Sequence, residues 1–124
     1  MVDNNTKRFL IVVSLGSTEP SRLVDLVPSL QKVLQSLSTE TPEQAFRSAT
    51  ADIFGYFIRS RLTARQITSA IESPGRVSVQ LEEAYAQDIH PFLDNKDGVL
   101  AIEIGKDFSA GVGFTRVGTW LQHH

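Results

Sequence analysis

Hydrophobic positions along this chain run first as an unbroken block, then at helical spacing, then as alternation. The block is Lys7 to Leu15, KRFLIVVSL. A continuous apolar run rich in β-branched residues predicts a central strand covered on both faces. Gly16-Ser17-Thr18-Glu19-Pro20 ends it with turn-forming residues. Leu23, Leu26, Val27, Leu30, Val33, Leu34 and Leu37 then recur at spacings of three and four, which puts them on one face of a helix. Ser17, Thr18 or Ser21 is the expected cap. Pro28 lies inside the pattern and predicts a kink, because the apolar stripe begins before it.

Ser38 to Glu43 is a polar loop, and Ala45 to Ala51 reads as a short, weakly patterned strand. Ile53 to Leu62 alternates clearly. Phe54, Tyr56, Ile58, Ser60 and Leu62 fall on one face, and Ile53, Gly55, Phe57, Arg59 and Arg61 on the other. Thr63-Ala64-Arg65-Gln66 has the form of a capping box, with a hydroxyl first and an amide three residues later. Ile67, Ala70 and Ile71 give that helix its buried face, and Pro74-Gly75 stops it. Leu81 to Ile89 is rich in helix formers and predicts a further helix. Asp94 to Gly98 is a turn, and Val99 to Ile104 is the last strand.

The order is strand, helix, weak strand, strand, helix, extra helix, strand. It predicts an α+β fold, a ferredoxin-like split βαβ sandwich. The antiparallel sheet carries its helices on one face, and an extra helix is inserted before the last strand. The expected organisation is a single domain over 1–124, with 1–6 disordered and 105–124 a Gly-rich C-terminal tail.

Composition narrows the class. With 124 residues, 41% hydrophobic and 21% charged, the chain suits one globular domain with its own core. It has no cysteine, so disulfides and thiolate metal sites are excluded. Phe9 to Val13 is too short an apolar run for a signal peptide or a membrane span, so a cytoplasmic location and no membrane contact are expected. The net charge of -2 argues against strong non-specific nucleic-acid binding. The charge is uneven: up to Arg65 there are 8 basic and 6 acidic residues, and beyond it 4 basic and 8 acidic.

Candidate chemistry is sparse. Ser14-Leu15-Gly16-Ser17-Thr18 leads a strand end into a helix, where backbone N–H groups can hold phosphate. It lacks the glycine spacing and lysine of a phosphate-binding loop, so a structural turn is expected. Arg59, Arg61 and Arg65 lie close in sequence beside Tyr56 and Phe57. Basic residues interleaved with aromatics can hold single-stranded nucleic acid, and this is the best candidate binding surface. The alternative is a solvated rim of arginines around a core of aromatics. Glu82, Glu83 and Asp88, then Asp94, Asp97, Glu103 and Asp107, make acidic stretches for which turn and surface roles are expected. His90 is the one internal histidine, so no catalytic triad can be assembled. His123 and His124 read as native residues or as a purification-tag remnant. Trp120 reads as an anchor of the tail, or else as an interface contact. No catalytic residue, metal site or cofactor is expected.

Three stretches carry a resemblance: KRFLIVVSL at Lys7 to Leu15, GYFIRSRLTARQI at Gly55 to Ile67, and HPFLDNKDGVLAIEIG at His90 to Gly105, with the tail TWLQHH beyond. In these the chain resembles the SinR-like family. That family is related in fold to the small CRISPR-associated adaptation proteins and to the virulence-associated D-type toxins. The resemblance implies a bacterial or phage origin, a defence or mobile-element setting, and a homodimer. In nuclease members of the wider group an aspartate at the end of the first strand holds a divalent metal. Here Ser14 stands at that position, and a neutral hydroxyl is a poor ligand for a hard cation. The expectation is a non-catalytic binding protein that self-associates and acts through protein contact, with only weak nucleic-acid binding along the Arg59/Arg61 face. The alternatives are a ribonuclease-type toxin using non-standard residues, with Ser14, Tyr56 and Arg59 to test, and an immunity or antitoxin protein.

Overall fold

The computed structural model describes residues 6–73 and 93–105. The described elements, in order, are β1 (Lys7–Ser14), α1 (Pro20–Leu37), β2 (Glu43–Arg47), β3 (Ile53–Ser60), α2 (Ala64–Glu72) and β4 (Gly98–Ile104). The strands form one four-stranded sheet in the order β2-β3-β1-β4. Every neighbouring pair is antiparallel. The chain is thus an α+β protein with two helices among the described residues.

Alternation divides each strand between two faces. Phe9, Ile11 and Val13 of β1 point to the helices, as do Phe54, Tyr56 and Ile58 of β3. They meet Leu26, Leu30, Val33, Leu34 and Leu37 of α1 and Ile67, Ala70 and Ile71 of α2 in one core. Ile11, Val13, Leu30 and Ile67 have no solvent exposure, and each contributes about 1.5–3 kcal/mol by leaving water. The opposite face of β1 is only half-buried at Leu10 and Val12. The expected strand covered on both faces is therefore a central strand with one fully covered face.

Local signals explain most boundaries. Thr63 accepts from the backbone N–H of Gln66 at 3.2 Å, and the Gln66 side chain accepts from the backbone N–H of Thr63 at 2.9 Å. The expected capping box starts α2. Helix α1 runs through Pro28 as a single helix, but its cap differs from expectation. Its N-cap is Glu19, with no side-chain cap bond, and neither Ser17, Thr18 nor Ser21 serves. Pro20 opens the helix, where a missing N–H costs nothing.

The weak strand also sits elsewhere. It spans Glu43–Arg47 rather than Ala45 to Ala51. The reason is a turn: Ser48 and Thr50 hydroxyls both donate to Asp52 Oδ1 at 2.6 Å, and Ala51 takes a positive φ of 60° that no strand accepts. β3 ends at Ser60 rather than Leu62, because the buried Ser60 hydroxyl accepts from the Leu62 N–H at 3.1 Å and turns the chain. The helix expected at Leu81 to Ile89 lies outside the described residues.

Candidate binding surfaces

Among the described residues the sheet face away from the helices carries three of the exposed large apolar side chains, and the other, Val24, lies on α1. Register places Leu10 between Phe57 and Ile102, and Val12 between Gly55 and Leu100. Phe57 is itself 2% exposed, closed over by Leu10, Ala45 and Ile104. The outer side of the patch is open: Leu100 is 53% and Ile102 44% exposed. At the far corner Ile53 is 37% exposed. Phe46 lies over Gly55, where an added Cβ would stand 2.3 Å from its ring.

The arginines hold one end of this face. Arg8 and Arg59 are directly opposed on β1 and β3. Like charges so placed repel, and hydrogen bonds hold them. Arg59 Nε donates to Thr6 Oγ1 at 2.8 Å, and Arg8 donates to the Gly105 carbonyl. Arg61 is exposed just past β3, and Arg65 is exposed in the first turn of α2. Tyr56 is not among them. It points to the helix side, 3% exposed, within hydrogen-bonding reach of Gln31 and Gln44. Burial pushes its hydroxyl above the usual tyrosine value, and those two amides and the Arg47 charge only partly offset this. Tyr56 thus lies across the sheet from Arg59, as the alternation predicts, and Phe57 is the aromatic on the arginine side. Trp120 lies outside the described residues.

Ser14, at the end of β1, is exposed and opposed by Ile53 and Gly98. Next to it stands a feature that the sequence does not announce. Asp97 Oδ1 accepts from the Gly16 N–H at 2.8 Å, and Oδ2 accepts from the Asp94 N–H at 2.8 Å. Arg22, in the first turn of α1, donates to Oδ2 and, through Nη1, to the Ser17 carbonyl at 2.9 Å. The Asp97 side chain is fully enclosed and that of Arg22 is 20% exposed. Burial pushes the Asp97 carboxyl up, but the bonds from Arg22, Asp94 and Gly16 and the Arg22 charge outweigh it, so the group lies below its ordinary value. Arg22 is raised, chiefly by its bond to Asp97. Both carboxylate oxygens are thus engaged by donors, which suits a structural clip between the β1–α1 loop and the turn before β4. Among the described residues no three His, Asp or Glu side chains stand together as a metal-holding group. The Asp94-to-Gly98 turn was legible in the sequence, but its partner Arg22 is 75 residues away and no spacing rule links them.

No helix among the described residues is long and apolar enough to cross a membrane. No protein-family model, curated protein or solved structure matches this chain.

Proposed function

We propose that this chain is a ferredoxin-like, non-catalytic binding protein that acts through protein contact and self-associates along β4. The ferredoxin-like reading is supported by the element order and by β1 lying between β3 and β4. The contrast between the two sheet edges carries the self-association. β2 is a guarded edge: five residues, entered from Pro42, with a register shift between Gln44 and Phe46. β4 has seven residues in unbroken register with β1, no proline, and Leu100 and Ile102 half in water. Such an edge is a template for another strand.

A second β4, antiparallel and centred on Ala101, would set Leu100 opposite Ile102 of the other copy on the open face. The same symmetry repeats that apolar pair, as an isologous interface requires. Sedimentation tests this: the protein should run as a dimer, and a Leu100→Lys/Ile102→Lys variant as a folded monomer with an unchanged circular dichroism spectrum. A monomeric wild type at high concentration would sink the proposal. The defence or mobile-element setting rests on the sequence resemblance alone. A growth assay separates this reading from the ribonuclease-toxin one, since a binding protein should not arrest cells that express it.

A further inference from the structure

β4 is held differently from the strands it joins. Phe54 to Ile58 and Ser60 of β3 are buried, and so are Phe9, Ile11 and Val13 of β1. No residue of β4 is buried: Val99, Ala101 and Ile104 are half-covered, and Gly98, Leu100, Ile102 and Glu103 are exposed. Val99 and Ala101 rest against the core as short side chains at its margin. Buried apolar surface is what most resists local opening, so β4 is held chiefly by its backbone ladder with β1.

Polar contacts fasten the strand at both ends, and the two ends are unequal. At the C-terminal end Arg8 donates to the Gly105 carbonyl, and Lys7 stands 3.4 Å from Glu103. The Lys7 and Glu103 side chains are 62% and 53% exposed, so water screens that pair and it adds little. At the other end Asp97, the residue before β4, is fully enclosed and accepts from the Gly16 and Asp94 N–H groups and from Arg22. Gly16 lies in the β1–α1 loop and Arg22 in α1, so these bonds tie the start of β4 to elements outside it. Removing one member of an enclosed ion pair costs far more than removing one from the surface.

We propose that β4 is a latched strap: it leaves β1 as a unit while the β1–β3 pairing and the packing of α1 stay formed, and Asp97 is the latch. Opening withdraws the β4 edge and uncovers the β1 edge beneath it. The latch therefore sets what fraction of the protein presents an ordered β4. This happens within a single copy, whether or not β4 pairs with a second.

Native-state amide hydrogen exchange, followed residue by residue at low denaturant, tests this. The β4 amides that donate to β1 should exchange at least tenfold faster than the slowest amides shared by β1 and β3. A second protein concentration should give the same ratio, whereas protection lent by a partner copy would grow with concentration. Asp97→Asn destabilises the closed strap and should speed β4 exchange about tenfold or more. Ile58→Val trims the β1–β3 core and should speed the slowest amides about fivefold while leaving β4 unchanged. If Asp97→Asn fails to fold, the wild type and Ile58→Val still decide whether β4 opens alone. The proposal is overturned if β4 exchanges no faster than the β1–β3 amides, if Ile58→Val speeds both equally, or if a folded Asp97→Asn leaves β4 exchange unchanged.

Discussion

Asp97 joins the β1–α1 loop, the first turn of α1 and the turn before β4, and its charge is the means. Its carboxyl lies below its ordinary value in the folded chain. Its contribution to stability is therefore fully present above the ordinary carboxylate range, near about pH 4, and is lost as pH falls through the lowered value. Asp97→Asn keeps the shape and removes the charge. It should cost about 2–3 kcal/mol at neutral pH, since it leaves Arg22 without its enclosed counter-charge. Urea midpoints of the two proteins should begin to converge below about pH 4 and meet once Asp97 is protonated in the folded chain. A gap that stays constant with pH would mean that packing, not charge, holds the turn. Asp52, lowered by bonds from Ser48 and Thr50, acts in the same direction, so only the comparison with the variant isolates Asp97.

Elements were legible where the signal is local. The Thr63/Gln66 capping box, the α1 stripe and the two faces of β3 all follow from spacings within a few residues. β2 was displaced because its strand and its turn have similar composition. The boundary depends on Ser48 and Asp52 finding each other across the turn. The alternation also put Tyr56 and Arg59 on opposite faces, so of the two aromatics beside the arginines only Phe57 shares their side of the sheet. Gly55 is a subtler case. As a residue within a strand it signals a close approach, and the approaching group is the Phe46 ring. Gly55→Ala should push that ring aside and destabilise the protein by about 1–3 kcal/mol, read by thermal melting. A neutral result would mean that Phe46 gives way freely and does not help to close the β2 side of the open face.

At the scale of the molecule, among the described residues the sheet has one guarded edge and one with no strand beyond it, and opposite faces of unlike character. The core face is sealed by two helices, the other by its own side chains only in part. Neither property could be read from the chain, because which strand stands at an edge is set by pairings between distant segments. The β4 edge is accordingly a product of topology, assembled from residues that are unremarked singly.

The position of β1 has a consequence for how the chain is made. It is the earliest of the described strands to be synthesised, yet it is flanked on one side by β3 and on the other by the last described strand. β3 ends at Ser60 and β4 begins at Gly98, so roughly 40 residues separate the arrival of its two neighbours, about 2–8 s of synthesis. During that interval the backbone of Phe9 to Val13, an unbroken apolar run rich in β-branched residues, lacks its β4 partner. A chain cut before Asp94 freezes that moment. It should scatter light and bind amyloid dyes where the full chain stays clear, and adding a separate peptide of the β4 sequence should suppress both.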